Sequence, residues 1–267
     1  MRLQIVPART GWHWIAQGGK TFFRQPLGLS GLFFLFMVLA SLVTLVPVIG
    51  LPIVLTLMPT FTLGLMAATR EVEAGRFPMP ALLFTGLRGS REQVRHMLLL
   101  GAAYAVAVAA ILLIVSLLGA DIAGPLAAGD DIEPEDLQTA LMQRGNALLL
   151  TLVLYTPVSM AFWHAPALVR WNGVSPPKAL FFSLTACWAN KWAMLVYVAG
   201  WALVLAVVGN LLMGVAVMLG GAQVLQMLLL PLSLVMAAIF HTSIYFTYRD
   251  SFSGDDAGRS ENHSSAP

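Results

Sequence analysis

The sequence predicts an all-α membrane protein, a polytopic bundle of six transmembrane helices in three hairpins preceded by cytoplasmic interfacial helices. Three observations predict it. Apolar residues make up 58% of the chain and charged residues 10%, more apolar surface than a soluble fold of 267 residues can bury, so lipid has to act as part of the solvent. The apolar residues gather in six runs, each able to cross about 30 Å of hydrocarbon at about 1.5 Å per helical residue. Fourteen of the fifteen Lys and Arg lie on one side of those runs, which assigns that side to the cytoplasm.

Residues 1–27 form a cytoplasmic segment with an amphipathic helix, Trp12, Ile15, Ala16, Gly19, Phe22 and Phe23 on one face and His13, Gln17, Lys20 and Arg24 on the other. Its first apolar run starts only after Pro26 and has no small-residue cleavage site behind it, unlike a cleaved signal peptide. The six-helix domain occupies 28–250, with spans at about 28–46, 53–69, 97–119, 147–169, 192–219 and 224–248. Prolines 47 and 52 bracket the turn between the first two spans, the second span being short enough to borrow from that turn, and Gly220-Gly221 joins the last two. The outward loop 120–144 holds Asp121, Asp130, Asp131, Glu133, Glu135 and Asp136, with Arg144 the lone outward cation. Pro134 followed by Glu135 and Asp136 reads there as the start of a short surface helix with Leu137 and Leu141 facing down. The tail 251–267, rich in Ser, Gly and Asp, is expected to be disordered and cytoplasmic.

A repeat links the first two hairpins. A shift of 98 positions (157 − 59) brings Pro59 onto Pro157, Gly75 onto Gly173, Pro78 onto Pro176 and Phe84 onto Phe182. Pro231 supplies a third mid-span proline, so Pro59, Pro157 and Pro231 are the candidate hinges. The repeat predicts a surface helix after each span, with Met79, Leu82, Leu83 and Leu87 as one stripe and Leu180, Phe181, Leu184, Cys187 and Trp188 as the other.

Chemistry is sparse. No Asp, Glu, Lys or Arg falls within the spans, which argues against ion-coupled transport. The neutral polar candidates are Thr60, Thr156 and Asn210, and the two intramembrane histidines are His164 and His241. The threonines near prolines read as local backbone repair, ahead of a solute path. The histidines lack His-x3-His or His-Glu-x2-His spacing and read as hydrogen-bonded packing residues, ahead of a metal or proton site. With Cys187 the single cysteine, no thiolate cage is available. Gly101, Ala105 and Ala109 form a small-residue stripe suited to close helix packing, between hairpins or in a dimer.

The three hairpins, the proline in each even span and the exit Tyr245-Phe246-Thr247-Tyr248-Arg249-Asp250 resemble a family of uncharacterised six-helix proteobacterial inner-membrane proteins. That family is distantly similar to the membrane domain fused to some bacterial glycerophosphodiester phosphodiesterases. The resemblance implies a fold and no catalytic residue. The expectation is a non-enzymatic, structural or regulatory inner-membrane protein that works with membrane lipids or other inner-membrane proteins and needs no metal, cofactor or nucleic acid. The alternative is a transporter or channel for a neutral or amphipathic solute, which a cavity lined by Thr60, Thr156 and Asn210 would favour.

Overall fold

The computed structural model describes residues 2–118 and 134–253. It is an all-α bundle with six helices long and apolar enough to cross a membrane: α2 (Pro26–Thr44), α3 (Gly50–Glu73), α4 (Arg91–Leu117), α5 (Pro134–Trp163) continued by α6 (Ala165–Asn172), α8 (Lys191–Leu219) and α9 (Ala222–Ser251). Two further helices, α1 (Thr10–Phe22) and α7 (Pro176–Ala189), flank the spans, and Pro80–Leu87 is a 3₁₀ segment.

Helix α3 is the hub, packing on α1, α2, α4, α6, α9 and the 3₁₀ segment. Its partners approach closely where side chains are absent. A Cβ on Gly101 of α4 would overlap the Thr56 carbonyl of α3, so this member of the small-residue stripe joins the first hairpin to the second, whereas Ala109 is exposed. The core lies toward the end of the bundle that carries the termini and the 3₁₀ segment, and it includes Trp14, Leu63, Met66, Leu83, Met97, Leu100 and Leu168. At the other end large apolar side chains are exposed, among them Leu45, Leu117, Leu149, Val217 and Met227, the composition of a surface that meets lipid tails.

The first and last described residues lie at one end. Arg2–Leu3 (β1) pairs antiparallel with Phe252–Ser253 (β2), and Gln4 N–H donates to the Ser251 carbonyl at 3.0 Å. Asn190, between α7 and α8, stitches this clasp: Oδ1 accepts from Val6 N–H at 2.8 Å, and Nδ2 donates to the Gln4 carbonyl at 2.9 Å. The tail is therefore ordered at its start, contrary to the expected disorder from Ser251 onward, because Ser251 and Phe252 are buried in the clasp; residues 254–267 lie outside the described residues.

Other boundaries move too. Pro134 opens α5 itself, so the expected separate surface helix is the first part of the fourth span's helix. The side chains of Leu137 and Leu141 and the loop acids at 121–133 lie outside the described residues. Helix α4 starts at Arg91, ahead of its apolar run, because Ser90 and Gln93 form a capping box. The turn before α3 is shorter than expected, with Pro52 already in the first helical turn, where its missing N–H needs no partner.

Helix α1 buries one side against protein and leaves the other exposed. Trp14, Ile15, Gly18, Thr21 and Phe22 are buried, packed chiefly on α8 and α9, while Trp12, Ala16 and Phe23 are exposed. The expected apolar face is thus divided between two surroundings. On α7 the division is by size: Ala179, Ser183, Ala186 and Cys187 face the bundle, and Phe181, Leu184 and Trp188 are exposed.

The repeat is visible at its turns. Gly75 ends α3 with φ +73° and Gly173 ends α6 with φ +66°, a left-handed geometry that glycine adopts without a Cβ clash. Beyond them the copies differ. Pro176 opens a 14-residue α-helix, whereas Pro78 leads into the 3₁₀ segment, where Leu83 is fully buried. Close approach of Leu83 backbone to Gly64 of α3 presses this segment onto the bundle, so its expected role as a surface helix fails.

Candidate functional site

The three candidate hinges all sit inside continuous helices, Pro59 in α3, Pro157 in α5 and Pro231 in α9. Pro59 is buried; the other two are exposed. The pronounced break in the fourth span falls elsewhere, at His164, two residues before Pro166. Pro166 has no N–H for the Phe162 carbonyl and its ring crowds that group, and the helix opens just ahead of it, where Ser183 of α7 bridges the gap. His164 N–H donates to Ser183 Oγ at 2.9 Å, and Ser183 O–H donates to the Met160 carbonyl at 2.7 Å, replacing the direct 164-to-160 helix bond with a two-step bridge.

The His164 side chain is enclosed at this break. Thr247 O–H donates to the Ile244 carbonyl at 2.7 Å, so Thr247 Oγ1 accepts from both Trp163 Nε1 at 3.0 Å and His164 Nε2 at 3.2 Å. That fixes the proton on Nε2 and leaves Nδ1 toward Cys187 Sγ at 3.9 Å. Burial pushes the Cys187 thiol, on the flanking helix α7, up to about 12, which keeps it a protonated packing group. His241 is on a separate network, with Nδ1 2.9 Å from the Ala237 carbonyl and its ring against Phe33 and Phe240.

Between α5 and the α3–α9 pair lies a cavity of about 300 Å³. Met58, Pro59 and Thr62 of α3, Tyr104 of α4, Tyr155, Ser159, Phe162 and Trp163 of α5, and Phe240 and His241 of α9 line it. It exists because α5 packs chiefly on α4 and α7 and meets α9 at its last turn, through the Trp163–Thr247 bond and an edge-on Trp163–Phe240 contact. The Tyr104 and Tyr155 hydroxyls are 2.9 Å apart.

The threonines and asparagine expected to mark a solute path do not line this cavity. Thr60 is buried, its hydroxyl without a protein partner beside Gly86. Thr156 and Asn210 are exposed and bond to carbonyls of their own helices, Leu152 at 2.7 Å and Ala206 at 2.8 Å. Sequence reasoning passed over Tyr104, Tyr155 and Ser183. Only Pro166, two residues after His164, was an available signal for the break.

Charge concentrates around the clasp end. Arg24 pairs with Glu73 at 2.8 Å, Arg76 with Glu71, and Arg249 with Asp250 at 2.9 Å, while Trp14 Nε1 donates to Asp250 at 3.0 Å. Arg170 of α6 reaches across to the Thr85 carbonyl at 3.2 Å. Arg88, Arg91 and Arg95 are exposed and meet no carboxylate among the described residues.

Six apolar helices collared at one end by short helices and paired termini define a multi-pass membrane protein of the six-span class. The chain is 37% identical over 271 residues to a protein of Burkholderia thailandensis described as a probable inner membrane protein, a match covering 97% of this chain and 96% of the relative. The chain belongs to that protein's family. No family model matches the sequence, and no solved structure matches it.

Proposed function

We propose that this is a non-enzymatic inner-membrane protein with a structural or regulatory role, acting on the lipids and membrane proteins around a cytoplasmic collar. The observation that carries this reading is the collar itself: α1, the 3₁₀ segment, α6, α7 and both paired strands, bonded into one unit by Asn190, Ser183, Trp14 and Arg170. A rigid basic rim suits anionic headgroups of the cytoplasmic leaflet, and the charge asymmetry of the sequence supports placing it there. Arg88, Arg91 and Arg95, exposed beside the apolar start of α4, are the side chains best placed for such contacts. Kinship with the membrane domain fused to some glycerophosphodiester phosphodiesterases fits the three hairpins and even-span prolines, and brings no activity with it.

Purification in native lipid discs, followed by mass spectrometry, tests the reading. Anionic phospholipid enriched over the bulk membrane, and returned to the bulk ratio in an Arg88→Gln, Arg91→Gln, Arg95→Gln variant, is expected. A bulk-like composition around the unaltered protein contradicts it. A second reading, a carrier for a neutral or amphipathic solute, is favoured by the cavity beside α5; solute flux in proteoliposomes that stops when Ser159 is replaced by Phe would select it.

A further inference from the structure

The mostly apolar cavity beside α5 gathers a few polar side chains within the depth of the hydrocarbon. Tyr104 lies seven residues inside the third apolar run (104 − 97), and Thr62 lies seven residues inside the corresponding end of the second (69 − 62). At about 1.5 Å per residue both are about 10 Å inside the hydrocarbon, where an unsatisfied hydroxyl has little water to turn to.

Their hydrogen bonds are incomplete. Thr56, Thr69, Thr151, Thr156 and Thr242 each return their proton to a carbonyl of their own helix. Thr62 has no such partner among the described residues, and it faces the cavity. One of the paired tyrosine hydroxyls donates to the other, so a second phenolic proton is left over. His241 carries its proton on Nδ1, toward Ala237, and in the neutral ring Nε2 is left as an acceptor. Ser159 donates to the Thr156 carbonyl at 2.8 Å and keeps its acceptor lone pairs. The lining therefore offers two free donors and two free acceptors, ringed by Phe162, Trp163 and Phe240, with no charged residue.

We propose that this cavity binds the polar end of a neutral lipid carrying hydroxyl and ester-carbonyl groups and no phosphate, with diacylglycerol as the type. Ester carbonyls accept from Thr62 and the tyrosine pair, and the lipid hydroxyl donates to His241 Nε2. A phosphate is excluded by the same lining, because burying its charge at this depth requires Lys or Arg. A volume of about 300 Å³ takes the glycerol-ester region, not two acyl chains. The chains leave past Tyr155, which is 37% exposed at the rim, to lie along the exposed leucines of α5 such as Leu148 and Leu152.

The test uses the full-length protein in lipid nanodiscs with a photoactivatable diacylglycerol that carries a diazirine close to the ester. Labelling should map to peptides around Tyr104, Tyr155–Trp163 and His241. It should be displaced by unlabelled dioleoylglycerol and not by dioleoylphosphatidylglycerol. Thr62→Val, nearly isosteric, should weaken displacement by about threefold to tenfold, the loss of one hydrogen bond. Ser159→Phe, which fills the cavity, should abolish site labelling; if that variant does not fold, Thr62→Val decides. Labelling spread evenly over the lipid-exposed helices, equal displacement by the phospholipid, or labelling and displacement unchanged in Thr62→Val would overturn the proposal.

Discussion

Replacing Ser183 by Ala tests the bridge that holds the α5–α6 break. Ser183 is fully buried, and its hydroxyl is the only link between His164 N–H and the Met160 carbonyl among the described residues. The direct helix bond is already open at the junction of α5 and α6, so without Ser183 both backbone groups are orphaned in a water-poor interior. Each orphaned group costs about 1–3 kcal/mol, against measured side-chain hydrogen bonds in membrane bundles of about 0.6 kcal/mol on average. The Cys187 thiol, 3.6 Å from the same carbonyl, offers partial replacement as a weak donor. The expected loss is therefore about 2–4 kcal/mol, read by reversible unfolding in mixed micelles with unfolded fraction followed by tryptophan fluorescence. Ser159→Ala is the control, since that hydroxyl bonds only within α5 and is half-exposed; it should change stability by less than about 0.5 kcal/mol. Equal effects of the two substitutions would refute the bridge.

Two other perturbations have defined outcomes. Asn190→Leu removes three hydrogen bonds from the clasp, and hydrogen exchange at the amides of Gln4 and Val6 should accelerate by about tenfold or more, as about 1–3 kcal/mol of local protection is lost; unchanged exchange would mean that strand pairing alone holds the termini. Cys187 should stay unreactive toward N-ethylmaleimide between about pH 7 and 9 until the protein is unfolded, because the reagent needs thiolate. Its raised folded value, about 12, also means that the thiol's contribution to stability is complete below the unfolded value, about 8.5, and falls as pH rises from there toward 12, at up to about 1.4 kcal/mol per pH unit. Rapid labelling of the folded protein at pH 7, or no such loss in Cys187-containing relative to Cys187→Ser protein, would contradict the burial.

The spans were legible in the sequence because hydrocarbon thickness dictates run length, and lipid demands that every backbone group bond within its helix. What each helix turns toward its neighbours was not legible. In water, hydrophobicity separates inside from outside; in lipid, Phe181 and Trp188 serve as well outside as in, and Ala179, Ser183 and Gly18 mark the packed faces because they let backbones approach. The break in the fourth span was not legible for a related reason. Pro157 and Pro231 are tolerated within exposed stretches of helix, whereas Pro166 breaks its helix with Ser183, seventeen residues downstream (183 − 166), poised to satisfy the freed groups. The cavity draws its polar atoms from α3, α4, α5 and α9, a convergence that no single helical period records.

The central claim, that the collar and its basic rim face the cytoplasm, is tested most directly by single-cysteine accessibility in a Cys187→Ser background. In intact cells with a permeabilised outer membrane, a cysteine at Asp131 should react with an impermeant maleimide, and cysteines at Gly75 and Gly173 should react only after the inner membrane is broken. Labelling at Gly75 or Gly173 in intact cells, with Asp131 protected, would place the rim outside and contradict the account.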